Sequence, residues 1–347
     1  MKISLVIPTY NRLDSLKRVL SGLEQQQDVS LADFEVIVIS DGSTDDTNEY
    51  LQTVKTPLNL IPLIQQNGGA AAARNNGIHR ACSPLILFLD DDVFPTPRLI
   101  AEHLQTHQSQ SCAVAVLGPM LTPADFDMSP WVRWEQAMLE KQYHAMREQK
   151  WAPTARQFFT GNTSLPRSYL IEQNGFDTQF RRAEDVELAY RLAEAGLKFV
   201  FHEKAVGYHY AHRSFASWFD IPYAYGVNDV IFALQKGHVW LLTAVWQEFY
   251  QRKPGIQGLV RLCVERPFLT QACTKALLKA AEISYAQNRP DIANKAYSGV
   301  YNLRYYQGVA DQLGGRKKFF AELINRRTPP HNLAPTENPL AQSTFTL

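Results

Sequence analysis

Short apolar runs alternate with amphipathic stretches through about the first 120 residues, and this alternation limits the possible folds more than any other feature. The apolar runs have the length of buried strands, and the stretches between them repeat apolar residues at helical spacing. This order is typical of an α/β fold with a mostly parallel, Rossmann-like sheet flanked by helices. The predicted strands are 3–7, 34–39, 58–64, 85–89 and 113–117, and the predicted helices are 13–23, 69–81, 97–107 and one that Ser43 or Thr44 caps and that ends near Val54.

After the fifth strand the alternation weakens and helical patterns replace it. A helix predicted at 183–195 is followed by Gly196, which suits a C-cap. Farther along, the helical pattern is broken near three prolines, Pro254, Pro267 and Pro290. We predict an α/β domain at 1–215, a helical C-terminal extension at 216–327 and a disordered, proline-rich tail at 328–347.

Charge is distributed unevenly along a chain whose formal net charge is only +1. Residues 252–327 hold fourteen Lys and Arg against five Asp and Glu, a local charge of +9, so the remainder carries −8. This segment indicates either an anionic partner or a solvated helical surface. The aromatic stretch 239–250 before it fits a peripheral membrane contact, a helical core or a homodimer interface. We expect no nucleic-acid partner.

The four cysteines are scattered and include no CxxC pair, so they indicate neither a zinc site nor a disulfide framework. No uncharged apolar stretch reaches the ~18 residues of a transmembrane helix. The first apolar run is too short for a signal peptide. We therefore expect a cytoplasmic protein, and peripheral contact with the inner membrane face is left open.

Polar residues follow each of the first four predicted strands. Ligands of open α/β sheets bind beyond the carboxyl ends of the strands, so these residues are expected at one site. Tyr10 could stack on a base, Asp41 could accept from a base or ribose, and Arg74, in a helix opened by glycines, suits a diphosphate. The alternatives are a packed ring, a turn-forming carboxylate and a surface arginine. The first turn has no GxGxxG and the chain has no GxxxxGK[ST], which disfavours dinucleotide and P-loop sites.

Asp90, Asp91 and Asp92 follow the fourth strand and are the sharpest of these features. Adjacent carboxylates repel one another unless a cation compensates their charge. In an extended segment Asp90 and Asp92 share one side, an arrangement that suits Mg²⁺ or Mn²⁺ together with phosphate oxygens. The alternative is an acidic turn that caps the next helix.

Taken in order, these segments resemble the inverting family 2 glycosyltransferases with the GT-A fold. Any one segment is weak evidence, whereas the ordered set is specific, and it covers about residues 1–215. The matching segments are SLVIPTYNR (4–12), VIVISDGSTD (36–45), NGG (67–69), ARNNGI (73–78), FLDDD (88–92), GNTS (161–164), GFD (175–177) and EDVEL (184–188).

The resemblance implies a nucleotide site at the first matching positions. Pro8 and Tyr10 would line the nucleobase, and Asp41 would read the base or the ribose. Asn67 would lie beside the nucleotide, and Arg74 would approach the ribose or the diphosphate.

The resemblance also implies the residues that carry the chemistry. Asp90 would lie near the ribose and Asp92 on a divalent metal, while Asp185 would be the catalytic base. His209 would reach the metal or the diphosphate, with His212 as the alternative histidine. Without the family, Asp185 could simply complement the dipole of the helix that it begins.

The expected function is transfer of a sugar, with inversion, from a nucleotide-sugar donor to an acceptor hydroxyl. A UDP-sugar is the favoured donor, Mg²⁺ or Mn²⁺ the cofactor, and a glycan or a lipid-linked molecule the acceptor. A nucleotidyltransferase that makes nucleotide sugars is one alternative. A non-catalytic module that binds sugar nucleotides is the other.

Overall fold

The computed structural model describes residues 1–325, which divide into two units. The first unit consists of Met1–Asp127 and Leu139–Ala211. The second consists of Met128–Met138 and the chain from His212 onward. The predicted disordered tail, 328–347, lies outside the described residues.

The strands of the described chain all belong to the first unit. They are β1 (Ile3–Thr9), β2 (Phe34–Asp41), β3 (Leu60–Gln65), β4 (Leu85–Leu89), β5 (Val93–Pro95), β6 (Val114–Leu117), β7 (Met120–Leu121), β8 (Asn162–Pro166), β9 (Lys198–Phe201) and β10 (Gly207–His209). Seven of them form a sheet in the order β3-β2-β1-β4-β8-β6-β9, and β5, β10 and β7 form a second, smaller sheet. Of the seven strands in the larger sheet, only β8 runs antiparallel to its neighbours.

The helices include every helix predicted from the sequence, with ends that differ by a few residues. They are α1 (Leu13–Glu24), α2 (Thr47–Thr53), α3 (Ala70–Arg80), α4 (Leu99–Ser109), α5 (Pro130–Arg147), α6 (Arg167–Glu172), α7 (Glu184–Glu194), α8 (Phe215–Gln235), α9 (Trp240–Gln251), α10 (Pro254–Cys263), α11 (Pro267–Ala286), α12 (Pro290–Leu313) and α13 (Arg316–Asn325). The predicted α/β fold with a mostly parallel sheet and a helical C-terminal region is therefore confirmed.

The observed helix boundaries differ from the sequence prediction at three prolines and at the start of α2. Pro254, Pro267 and Pro290 each occupy the first turn of a helix, where the missing N–H costs no hydrogen bond, so the predicted breaks are helix starts. The predicted cap of α2 by Ser43 or Thr44 is wrong, because that helix begins only at Thr47. The Ser43 hydroxyl instead accepts a hydrogen bond from the Asn11 backbone N–H, at 3.1 Å.

The core of the first unit lies on both faces of the central strands. Every residue of β2 is buried, and β1 is buried throughout except for Pro8. The helical spacing predicts a stripe of Leu13, Leu16, Leu20 and Leu23 on α1, and on one face α1 buries Leu16, Leu20 and Leu23 together with Val19, while Leu13 is half-buried. Strands covered on both faces are continuous apolar runs, which is why they can be recognised in the sequence.

In the second unit α8 crosses α12 at unusually short range. A Cβ at Gly226 would overlap the carbonyl oxygen of Tyr305, and one at Gly308 would overlap the carbonyl oxygen of Tyr223. These two glycines therefore let the helix backbones touch. Beside the crossing, Trp218 packs edge to face against Trp134, at a centroid distance of 5.7 Å.

The aromatic stretch 239–250 belongs to the core. It forms α9, and Leu241, Val245, Trp246 and Phe249 are completely buried. The interpretation as a helical core is confirmed for these side chains. Within residues 1–325, no helix is both long and apolar enough to span a bilayer.

Candidate active site

Four parallel strands bring the polar segments of the sequence to one edge of the sheet. β1 pairs with both β2 and β4, and β2 pairs with β3, all in parallel. Their carboxyl ends therefore point the same way. The residues that follow these strands form a single site, as the rule for open α/β sheets predicts.

Asp41 fixes the loop between β3 and α3. Its buried carboxylate accepts hydrogen bonds from Gln65 Nε2 and from the backbone N–H groups of Gly68 and Gly69, each at 2.8 Å. Asn67 closes the same loop, since its Nδ2 donates to the Asp41 backbone oxygen at 2.9 Å. The loop leads directly into α3, so Asp41 sets the position at which that helix begins. A carboxylate accepts more than three hydrogen bonds, so Asp41 keeps capacity for a ligand.

Tyr10 projects from the end of β1 into solvent. Half of its surface is exposed, so the alternative of a ring packed in the core is wrong. Pro8 is two residues earlier and half-buried. An aromatic face left free at the carboxyl edge of the sheet is available to stack on a flat ligand.

The three aspartates do not continue β4 as an extended strand. β4 ends at Leu89, and Asp91 and Asp92 lie in a turn. The expectation that Asp90 and Asp92 share one side is wrong for this reason. Asp91 and Asp92 instead share a partner, because Arg12 Nη1 lies 3.1 Å from Asp91 Oδ1 and 2.6 Å from Asp92 Oδ2.

Asp91 and Asp92 differ in their electrostatics although they are adjacent. Burial raises the pKa of Asp91 to about 6, and Arg12 and the hydroxyl of Thr9, at 2.7 Å, oppose this only in part. Burial also acts on Asp92, but the hydrogen bond and charge of His209, together with the charge of Arg12, outweigh it and lower the pKa of Asp92 to about 2. Of the two carboxylates, Asp92 therefore stays ionised to the lower pH, as a metal ligand must.

His209 reaches Asp92 through the small sheet. It is the last residue of β10, which runs antiparallel to β5 and pairs His209 with Val93. The backbone N–H of Tyr210 donates to the Asp92 carbonyl at 2.9 Å, and His209 Nε2 lies 3.4 Å from Asp92 Oδ1. Of the two histidines proposed from the sequence, His209 is thus placed at the aspartates.

Arg74 connects the aspartates to α7. Its guanidinium is almost fully buried, with Nη2 2.9 Å from Asp90 Oδ1 and Nη1 3.1 Å from Glu184 Oε1. The alternative of a surface arginine is therefore wrong. A buried guanidinium paired with two carboxylates fixes the segment after β4 and the start of α7 relative to each other.

Asp185 lies in the first turn of α7, next to this ion pair. Burial, with the charges of Glu184 and Asp90, raises the pKa of Asp185 to about 7, while Arg74 and the Val186 N–H oppose the shift. The helix dipole favours the ionised form of Asp185, but burial and the neighbouring negative charges outweigh it. Interaction with the dipole alone therefore does not account for the properties of this carboxyl. A carboxyl that titrates near neutrality is suited to proton transfer.

Asn75 positions α7 from the neighbouring helix α3. Its side chain both donates to the Phe176 carbonyl and accepts from the Phe176 N–H, each at 2.8 Å. A Cβ at Gly175 would overlap Asn75 Oδ1, so only glycine fits there. Residues 175 and 176 thereby clamp the segment that precedes α7 to the helix that carries Arg74.

The site carries an excess of negative charge. Five carboxyl groups, on Asp90, Asp91, Asp92, Glu184 and Asp185, face two guanidinium groups, on Arg12 and Arg74. The excess is three negative charges when all five carboxyl groups are ionised, five minus two, and two when Asp185 is protonated, four minus two. A diphosphate would be repelled unless a cation accompanied it. The oxygen of Asp92 and the imidazole of His209 form a donor pair that suits Mn²⁺ or Mg²⁺ with phosphate oxygens completing the shell. Within residues 1–325 no group of three His, Cys, Asp or Glu is arranged to hold a metal alone.

The sequence alone assigns no role to three residues of this site. Arg12 and Asn75 stand inside segments that match the family pattern, and Glu184 precedes the proposed base. The sequence feature that could have identified these three residues is that they lie within or beside segments that match the family pattern. Their partners are 79 to 110 residues away, a separation that no local pattern reveals.

Comparison with known families agrees with this geometry. The model of the family described as "Glycosyl transferase family 2" matches residues 4–173, about half of the chain. A second model, described as "N-terminal domain of galactosyltransferase", matches residues 140–214. The chain belongs to glycosyl transferase family 2. The two matches together span residues 4–214, from β1 to just beyond β10.

Individual relatives match part of the chain at low sequence identity. The validoxylamine A glucosyltransferase of Streptomyces hygroscopicus subsp. jinggangensis is 32% identical over 240 residues, which are 61% of this chain and 56% of that protein. The chain thus spans about half the length of the curated relatives that it matches.

Two solved structures show the same architecture. S. aureus TarS 1-349 in complex with UDP-GlcNAc has a TM-score of 0.54 at 18% identity, and the match covers 86% of this chain and 91% of that one. The mannosyltransferase PcManGT from Pyrobaculum calidifontis in complex with GDP-Man and Mn²⁺ has a TM-score of 0.55 at 15% identity, covering 94% and 88%. These likenesses establish the GT-A fold.

Proposed function

We propose that this chain transfers a sugar from a nucleotide-sugar donor to an acceptor hydroxyl, with inversion at the anomeric carbon. Asp185 is the general base, Asp92 and His209 hold a divalent cation, and Asp90 and Arg74 lie at the ribose and diphosphate. One observation carries the proposal: Arg74 joins Asp90, at the end of β4, to Glu184, beside Asp185. The buried Arg74 guanidinium thereby links the diphosphate end of the site to the residue next to its base.

The donor nucleotide would lie along the carboxyl ends of β1 to β4. Tyr10 stacks on the base, with Pro8 beside it, and Asp41 and Asn67 form the loop that borders the base and ribose. The Arg74 guanidinium supplies positive charge beside the anionic oxygens of the diphosphate. A divalent cation on Asp92 and His209 supplies the positive charge that stabilises the departing diphosphate. Mn²⁺ in PcManGT, a protein of the same fold, supports this assignment.

The acceptor hydroxyl must lose its proton as its oxygen attacks the anomeric carbon. Asp185 takes that proton on its carboxylate, and its pKa of about 7 makes it a competent base at neutral pH. Attack from the face opposite the leaving diphosphate inverts the anomeric centre. A module that only binds a sugar nucleotide has no use for a carboxyl tuned in this way, which disfavours the non-catalytic alternative.

The donor and acceptor are proposed at the level of class. A UDP-sugar is the favoured donor, and the names of the structural neighbours include both UDP-GlcNAc and GDP-Man. The acceptor is a glycan or a lipid-linked molecule, and it would approach from the side of α7, where Asp185 lies. Nothing at the site favours a nucleotidyltransferase, whose glycine-rich basic loop after the first strand is replaced by Pro8-Thr9-Tyr10-Asn11.

The test has two stages, with the full chain. Thermal shifts are measured for UDP-glucose, UDP-GlcNAc, GDP-mannose and dTDP-glucose with Mn²⁺, and the stabilising donor is then followed by NMR during hydrolysis or transfer. We expect a product of inverted configuration, activity that EDTA abolishes, and loss of turnover with retained donor binding in Asp185→Asn. Glu194→Gln, at the other end of the same helix, is the matched control and should keep full turnover.

Other outcomes would overturn particular parts of the proposal. Release of pyrophosphate from a nucleoside triphosphate would identify a nucleotidyltransferase. Donor binding without turnover under any condition would identify a binding module. Full activity of Asp185→Asn would remove Asp185 as the base.

A further inference from the structure

Three large apolar side chains are exposed at the turn between α10 and α11. The exposed fractions are 47% for Leu262, 87% for Phe268 and 38% for Leu269. Single exposed apolar residues are ordinary on protein surfaces, but three within eight positions form a patch that indicates an interaction site. Residues 261–269 are called the α10–α11 tip.

Hydrogen bonds hold the α10–α11 tip in place, so the exposure of its apolar side chains does not come from a frayed end. The Thr270 hydroxyl and the Arg266 N–H both donate to the Cys263 carbonyl, at 2.9 and 2.8 Å. The Arg316 side chain, from the start of α13, donates to the Arg261 carbonyl at 2.9 Å. The fold therefore presents Phe268 to solvent on a fixed support.

Basic residues surround these apolar side chains. Arg261 and Arg266 are exposed within the tip itself. Lys275 is also exposed and lies on the same face of α11 as Phe268, since it follows seven residues later. The acid of the tip, Glu265, accepts a hydrogen bond from the backbone N–H of Arg316. The tip thus combines apolar anchors with positive charge.

We propose that the α10–α11 tip docks on the surface of an anionic lipid bilayer. Phe268, Leu262 and Leu269 enter the boundary between headgroups and acyl chains, and Arg266 and Lys275 meet lipid phosphates. A stable protein partner would need about 800 Å² of complementary surface on each side. Three side chains on one turn offer far less than that, whereas a bilayer requires only a few apolar anchors beside basic residues.

This surface goes beyond the proposed sugar transfer and does not depend on it. Binding is measured without donor, acceptor or metal, so failure of the transfer proposal would leave this test intact. The probe is the full chain mixed with large vesicles, either of phosphatidylcholine alone or of phosphatidylcholine and phosphatidylglycerol in equal parts. Co-sedimentation gives the partition coefficient at low and high salt.

We expect binding to the anionic vesicles only, weakening as salt rises. Phe268→Ser should weaken binding about tenfold or more, because one buried aromatic anchor is lost. Arg266→Glu with Lys275→Glu should weaken it about 30-fold or more, since each basic residue near the surface contributes about fivefold. Both changes are at exposed positions, and unchanged circular dichroism would show that the variants fold.

Matched controls distinguish binding through the tip from nonspecific hydrophobic or electrostatic binding elsewhere on the protein. Leu234→Ser removes an apolar side chain that is 61% exposed near the C-terminal end of α8, and Lys198→Glu reverses a charge on the first unit. Both should bind vesicles nearly as the wild type does. As a direct readout, the fluorescence of Phe268→Trp should shift to the blue on anionic vesicles.

The proposal is overturned if the chain does not co-sediment with anionic vesicles at low salt. It is overturned equally if the tip variants and the controls bind alike, or if Phe268→Trp shows no shift on vesicles. Should Phe268→Ser abolish self-association in solution while leaving vesicle binding intact, the tip would be a protein interface instead.

Discussion

Replacing Asp185 with Asn should raise the stability of the protein while abolishing its turnover. Burial raises the pKa of Asp185 in the folded chain to about 7, from an ordinary value of 3.8. A carboxyl with a raised pKa favours folding only while it is protonated, and its contribution is lost as pH rises through the folded value. At pH 8 the folded state therefore holds an unfavourable charge that Asn does not carry.

The size of the effect follows from the two pKa values. Their difference corresponds to about 4 kcal/mol at 1.36 kcal/mol per pKa unit. The Asp185 side chain keeps part of its surface in water, so we expect about half of this, a gain of about 2 kcal/mol in the free energy of unfolding at pH 8. At pH 5 the gain should fall to roughly two fifths of its value at pH 8, because the folded carboxyl is then already protonated.

Urea unfolding of wild type and Asp185→Asn at several pH values measures this directly, and Glu194→Gln, at the other end of α7, is the control for replacing a carboxyl with an amide on this helix. The kinetic arm is the pH profile: kcat/KM of the wild type should fall about fivefold from pH 7 to pH 6 as the base becomes protonated. A gain in stability that is equal at pH 5 and pH 8, or a loss at pH 8, would refute the account of a buried, destabilised base. Stability would then have to be assigned to the packing of the new amide.

Three further changes probe other parts of the structure. Asp92→Asn should weaken Mn²⁺ binding in the presence of UDP at least about tenfold by calorimetry, and addition of Mn²⁺ after EDTA should restore activity to the wild type only. Gly161→Ala should raise the KM for donor several-fold, because the new Cβ would lie 2.5 Å from Met120 Sδ and 3.0 Å from Asp90 Oδ2; an unchanged KM would show that both side chains can move aside. Gly226→Ala should destabilise the second unit by about 3 kcal/mol, since its Cβ meets the backbone of α12. Gly258→Ala, where a Cβ meets nothing within 4 Å, should instead stabilise by about 0.5–1 kcal/mol, and equal melting temperatures for these two variants would contradict the close crossing.

Much of the fold follows from local pattern. Strands buried on both faces are apolar runs, helices carry apolar stripes, and a proline in the first turn marks a helix start, so each can be recognised in a short window. The position of the site follows as well, because parallel strands place their carboxyl ends together and the polar segments follow those ends. Tyr10, Asp41, Arg74 and the three aspartates are therefore expected at one edge of the sheet from the sequence alone.

Tertiary structure decides how those residues act. Arg74 could be a surface residue until Asp90 and Glu184 enclose it, and His209 reaches Asp92 only because β10 pairs with β5. The same holds for the C-terminal helices, where most apolar side chains of α9 are buried in the core and Phe268 of α11 is exposed to solvent. Secondary structure depends on neighbours a few positions away, whereas ion pairs, pKa values and exposure also depend on groups that packing brings from as far as 110 positions away.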